Sequence, residues 1–347
     1  MAERAEARGP LALIAVSAAP TVLEGRYRSL VAALVRLHRS RRSQWTLAVG
    51  SGAVVIVLAL LTVRHFATTS WPLSSGHPAF VAAGLLLLFA QAFKAYGWGR
   101  LFTADERPKP LALAAGNGGA ALIGMVLPGR FDDAMRVAVV RRYRPCPAGV
   151  RALGLSLVML GLIDSVALAP LALAAAVFAG AGNGVRAGLA VVAVAGVAAA
   201  VLIVSLPRLV ASRRALRFRL GRWLSPRTTS LRRASQAWVL VSICWVVRAV
   251  ALFLLLGALG IGYSFPLALL FLCAGAAAAA LPIGPAGAAT QVGGGAAALL
   301  ASGVGASQAL SIAVSVAALG VLSGTAILLF AIAYRSGRTL TPTRAAA

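Results

Sequence analysis

The chain has 347 residues, of which 60% are hydrophobic and 12% charged. An ordinary soluble domain carries about twice that charged fraction, which excludes a soluble globular fold and any domain count based on length. Basic residues outnumber acidic ones by 33 to 8, and only Lys94 and Lys109 are lysines, so the +25 charge is almost all arginine. This Arg- and Ala-rich, Lys-poor composition points to a GC-rich prokaryotic genome. Cys146, Cys244 and Cys273 are too few for a disulfide framework, and His38, His65 and His77 are too scattered for a metal cluster, so neither metal nor cofactor is expected.

Residues 1–44 form a basic segment. Tyr27, Leu30, Val31, Leu34 and Leu37 fall at helical spacing among six arginines, the pattern of an interfacial helix on an anionic leaflet or of a basic tail. Leu11–Ala19 is too short for a signal-peptide core, and Glu3 and Glu6 spoil its flank, so cleavage is not expected. From residue 45 onwards, six segments reach the length of about 20 apolar residues that a bilayer demands: 45–63, 78–98, 152–179, 187–206, 237–260 and 309–333. Two further apolar segments, 111–127 and 267–281, stop at Pro128 and Pro282. At 1.5 Å per residue they extend roughly 26 and 22 Å, short of a hydrocarbon core of about 30 Å.

Charge placement decides between two topologies. Eight full spans with an inner N-terminus would put the six arginines of 128–151 and the nine of 207–236 outside. If the two broken segments are re-entrant hairpins, 27 of the 33 basic residues lie inside and the outer loops hold only Arg64 and Arg186. The remaining four, Lys94, Arg130, Arg136 and Arg248, are at membrane level. The expectation is an all-α polytopic membrane protein with about six full spans and two re-entrant broken-helix hairpins. It forms an inverted repeat with halves 45–179 and 187–334 within a membrane domain 45–334, followed by a basic tail, 335–347. Broken helices meeting at membrane depth in inverted halves are a transporter architecture, and two Pro-kinked full spans are the alternative.

Three acidic residues fall at membrane level: Asp132, Asp133 and Asp164. Ionisable groups there are expensive and by default functional. Asp164 lies in the middle of a span, and Arg248, deep in its own span, is the expected counter-charge. That pair is either a transport element or a fixed registry device, and Arg248 at another polar wall is the remaining alternative. At the first break, Pro128 removes a donor and Gly129 permits a turn. A helix restarting at 131 places Asp132 and Asp133 in its positive first turn, flanked by Arg130 and Arg136. Such a mouth suits a phosphate held by guanidinium groups, and self-paired charges on a capped interfacial helix are the alternative. The second break carries Pro282, Pro285 and Gly287, with Thr290 and Gln291 as its polar members. Its exposed amides also suit an anion.

With both breaks in view, the chain resembles the lysylphosphatidylglycerol synthase transmembrane-region family, the flippase-like domain proteins, from about 45 to 334. That family shows a Pro-Gly/Ala-Arg-Leu-Gly-Glu-x-x-Arg motif. The run here is Pro128, Gly129, Arg130, Phe131, Asp132, Asp133, Ala134, Met135, Arg136, so Asp133 stands at the family's Glu and Asp132 at its Gly. Asp164 and Trp98 match further family positions. Leu160 and Gly161 replace a Glu-Arg pair. The late motif Pro-Ile-Ser-Pro-Gly-Gly-x-Gly-x-x-Glu is kept at Pro282, Ile283, Pro285 and Gly287 but has Val292 at its Glu. The resemblance implies a multi-pass plasma-membrane protein that moves, or helps to move, a lipid head group. With 13 residues after 334, the expectation is a stand-alone flippase-like module and not a synthase.

The leading expectation is therefore a translocator of an anionic phospholipid or polyprenyl-linked lipid, with both termini cytoplasmic. Arg130, Arg136 and Arg248 would attract the phosphate, and Asp133 and Asp164 would balance charge or accept a proton. The alternative is a scaffold or accessory subunit for a cell-envelope synthesis enzyme. A small-solute or ion carrier ranks third, because few polar residues line the spans. The basic residues follow membrane topology, which argues against nucleic-acid binding. No catalytic constellation is present, so no enzymatic activity is expected.

Overall fold

The computed structural model describes residues 77–126, 131–143, 146–211, 230–280 and 287–340. The expected first span, 45–63, and the basic N-terminal segment lie outside the described residues. So do Pro128, Gly129, Arg130, Pro282 and Pro285. The described residues form helices only: α1 (His77–Gly99), α2 (Pro110–Val126), α3 (Phe131–Arg142), α4 (Val150–Phe178), α5 (Asn183–Ala211), α6 (Leu231–Ala258), α7 (Phe265–Ala280), α8 (Gly287–Ala301) and α9 (Ala306–Leu340). Five of them, α1, α4, α5, α6 and α9, are long and apolar enough to cross a membrane. Arg186, expected in an outer loop, lies inside α5, which begins four residues earlier than the apolar run.

Large and small apolar residues are distributed as membrane helices require. On α1 the bulky Val81, Leu85 and Phe89, one turn apart, are exposed, while Ala83, Ala90 and Ala95 are buried. On α5, Val191, Val194, Val197, Val201 and Val204 face outwards. Lipid tails solvate bulky aliphatic side chains as well as a protein core does, so small residues take the contacts where backbones approach. A Cβ on Gly118 of α2 would lie 2.6 Å from the Gly324 carbonyl oxygen of α9. On α1, Gly97 faces Val241 and the Ala237 carbonyl of α6.

The two broken segments double back. Gly116 meets Val140 and Arg136, and Gly119 meets Val139 and Met135, so α2 and α3 run antiparallel about the Pro128 break. In the same way Gly275 meets Gln291, and Gly295 meets Phe271, so α7 and α8 run antiparallel about the Pro282 break. A kinked continuous span would hold residues 116 and 140 far apart. Both segments are hairpins.

The halves repeat. Pro282 follows Pro128 by 154 positions, and the same offset relates the starts of α1 and α6 and the ends of α2 and α7. Packing obeys the same correspondence. α1 lies on α2 as α6 lies on α7, α2 on α9 as α7 on α4, and α1 on α9 as α6 on α4. The equivalent helices α1 and α6 pack antiparallel, because Gly97 near the end of α1 meets Ala237 and Val241 near the start of α6. Equivalent helices of opposite direction make the repeat an inverted one.

Two helix ends are closed by glycine. At the end of α6 the Ile261 N–H donates to the Leu256 carbonyl and the Gly260 N–H to that of Gly257. At the end of α8, Val304 donates to Leu299 and Gly303 to Leu300. Gly260 (φ 71°) and Gly303 (φ 86°) take the left-handed backbone these caps require.

Candidate functional site

Three of the membrane-level charges, Lys94, Asp164 and Arg248, gather where α1, α4 and α6 meet. Lys94 projects from α1 and its Nζ donates to Asp164 Oδ2 at 2.8 Å. The other carboxylate oxygen, Oδ1, accepts from Trp245 Nε1 of α6 at 2.9 Å. The expected counter-charge was Arg248, and the structure corrects it: Lys94 is the partner of Asp164. The guanidinium of Arg248 instead lies over the Trp245 ring, 5.0 Å from its centroid. Lys94 Nζ lies 5.7 Å from the same centroid. Trp245 is buried and pinned by its hydrogen bond to Asp164, so it holds both cations while donating to the one anion. Cation–π attraction of this kind strengthens where water is excluded.

Helical spacing explains the arrangement. Ser156, Leu160 and Asp164 share one face of α4, at i, i+4 and i+8. Lys94 and Trp98 stand one turn apart on α1. Lys94 reaches Asp164, and Trp98 Nε1 donates to Ser156 Oγ at 2.8 Å. Ser156 Oγ in turn donates to the Leu153 carbonyl at 2.7 Å. These two polar contacts tie α1 to α4. Beside the second is a cavity of about 20 Å³, lined by Phe102, Glu106, Leu155 and Ser156 among others, room for a single water.

The side chains of Lys94 and Asp164 are 11% and 19% exposed, so the pair is largely desolvated. The cluster holds one carboxylate and two cations, a net positive charge. Among the described residues no carboxylate forms an ion pair with Arg248.

The first hairpin carries a separate group. α3 opens at Phe131 as expected, with Asp132 and Asp133 in its first turn. Arg136 Nη1 bonds Asp133 Oδ1 at 2.6 Å and Nη2 lies 3.6 Å from Asp132 Oδ2. Arg136 thus pairs with the carboxylates of its own helix, while its Nε stays buried without a hydrogen-bond partner among the described residues. Gln291 lies on α8 against Gly275 of α7, in the second hairpin. Neither Arg136 nor Gln291 joins the Lys94–Asp164–Trp245–Arg248 cluster by a hydrogen bond or ion pair. Gly287 is the first residue of α8.

Lys94 and Trp245 are the members that residue-by-residue reading missed. Lys94 stood out as a cation at membrane level, but nothing local in the sequence directs it to Asp164. Trp245 in an apolar run reads as packing.

The family described as lysylphosphatidylglycerol synthase TM region matches residues 43–328. The protein belongs to that family. The five long apolar helices among the described residues make it an integral membrane protein, as membership requires. No curated protein and no solved structure matches the chain. Within this member of the family, Trp98 and Asp164, the two positions that carried the resemblance outside the breaks, are both bound into the contact between α1 and α4.

Proposed function

We propose that the protein translocates, or assists the translocation of, an anionic phospholipid or polyprenyl-linked lipid across the plasma membrane, with both termini cytoplasmic and no catalytic step of its own. One observation carries the reading: a net-positive cluster, Lys94, Asp164 and Arg248 around the buried Trp245, set among membrane-spanning helices. Charged groups at this depth mark pathways, and an excess cation beside the pathway favours an anionic head group. The inverted halves with broken hairpins supply the architecture in which one half rocks against the other. The basic loops suit an anionic inner leaflet.

The test is reconstitution in liposomes with head-group-labelled phosphatidylglycerol and a polyprenyl-phosphate analogue, reading movement between leaflets with an impermeant quencher. Transport is expected in wild type and lost in Asp164→Ala. Normal transport by folded Asp164→Ala would remove the cluster from the path. A second reading, an accessory subunit for a cell-envelope synthesis enzyme, is favoured by the loss of family acids at Leu160–Gly161 and Val292. Absence of transport of either lipid by folded protein would favour it.

A further inference from the structure

Lys94 and Arg248 are the same position in the two halves. The 154-residue offset that carries Pro128 onto Pro282 and the start of α1 onto the start of α6 also carries Lys94 onto Arg248. In the first half, α1 supplies the cation and α4 the carboxylate. In the second, α6 supplies the cation, and α9, the helix that corresponds to α4 and contacts α6, carries no acidic residue. The repeat therefore presents two cations and one anion, with the missing anion on the Arg248 side.

The chemistry of Arg248 suits what is missing. Its guanidinium lies on the Trp245 face, and Trp245 is fixed by Asp164. The ring contact leaves the guanidinium's fork of N–H donors without a carboxylate among the described residues. That fork matches two oxygens of a phosphate in a way a lysine ammonium cannot. A cation at membrane depth with no carboxylate beside it is costly until an anion arrives.

We propose that Arg248, held on Trp245, binds the phosphate group of an anionic ligand, which supplies to the second half the counter-charge that Asp164 supplies to the first. The inference rests on the lipid-transport reading only for the source of the phosphate, and binding tests the site itself. The experiment measures affinity of the purified full chain in detergent for dioctanoyl phosphatidylglycerol, dioctanoyl phosphatidylcholine and inorganic phosphate. Phosphatidylglycerol should bind about tenfold or more tightly than the zwitterionic lipid, the ratio expected of a single charge-assisted contact. Arg248→Gln should remove that preference. Arg248→Lys, which keeps the charge without the fork, should weaken it. Unchanged phosphatidylglycerol affinity in folded Arg248→Gln and Arg248→Lys would overturn the site.

Displacement of the lipid by inorganic phosphate at comparable concentration would support the site and assign it to free phosphate. Resistance to displacement would assign it to the lipid head group. Wild-type binding without flipping leaves the site standing and fails the transport reading. Wild-type flipping by both variants does the reverse.

Discussion

At the scale of the residue, Asp164 is the most constrained group described. Each of its oxygens accepts one strong donor, from Lys94 and from Trp245, on two different helices. Breaking a desolvated pair by removing one partner leaves the other charge uncompensated, a loss of about 3–5 kcal/mol, whereas replacing both with apolar residues costs far less. Lys94→Met and Asp164→Leu should therefore each lower the unfolding temperature strongly. The double variant should recover part of the sum, read by thermal unfolding in one detergent as a double-mutant cycle. Additive losses would mean that the two side chains do not interact. Tyr143, outside the spans, behaves differently. Burial pushes its phenol above the usual 10, and the Arg335 guanidinium over its ring pulls it back in part. A raised acid costs no stability below pH 10, where the phenol is protonated in both states. Stability then falls as pH rises past 10 towards the folded-state value. Tyr143→Phe should flatten that alkaline loss and, by removing a hydroxyl with no hydrogen-bond partner among the described residues, leave neutral-pH stability unreduced.

At the scale of the element, small residues set how closely helices approach. Alanine for glycine within a helix gains about 0.5–1 kcal/mol of intrinsic propensity. At Gly118 the new methyl meets a backbone carbonyl of Gly324 at 2.6 Å, which cannot rotate aside. Overpacking of about 1–3 kcal/mol then outweighs propensity, so Gly118→Ala should destabilise, and Gly118→Leu more so. The exposed Gly188, with open space around it, should tolerate the same alanine. The hairpins are testable directly. Gly119 and Val139 face each other across α2 and α3, and cysteines at both positions, in a background lacking Cys146, Cys244 and Cys273, should cross-link on mild oxidation. A kinked span would keep them apart.

At the scale of the whole molecule, the hairpins set which loops share a side. Asp105 and Arg141 flank the first hairpin and should be labelled from one face of the membrane, whereas Gly182 and Gly305 should be labelled from the other. Single exposed cysteines and an impermeant thiol reagent on sealed vesicles read this out. Opposite sidedness of Asp105 and Arg141 would exclude a re-entrant first hairpin.

Much of this was legible in the residue order alone. Span lengths follow from runs of apolar residues, because the bilayer imposes one thickness on every helix. The two breaks follow from Pro128 and Pro282, because proline cannot donate within a helix. Charge asymmetry chose the hairpin topology over eight spans, because arginines are kept to one side. Asp132 and Asp133 at the start of α3 were readable because helix capping is local. What only the tertiary structure decided is which membrane-level charge meets which. Asp164 and Arg248 looked matched from their depths in their own spans, but depth along a helix says nothing about the face presented or the neighbour across it. Rotation about each helix axis is set by packing, here by Gly97 against α6 and Gly118 against Gly324. That rotation turns Lys94 to Asp164, puts Trp245 between the two cations, and leaves Arg248 without a carboxylate.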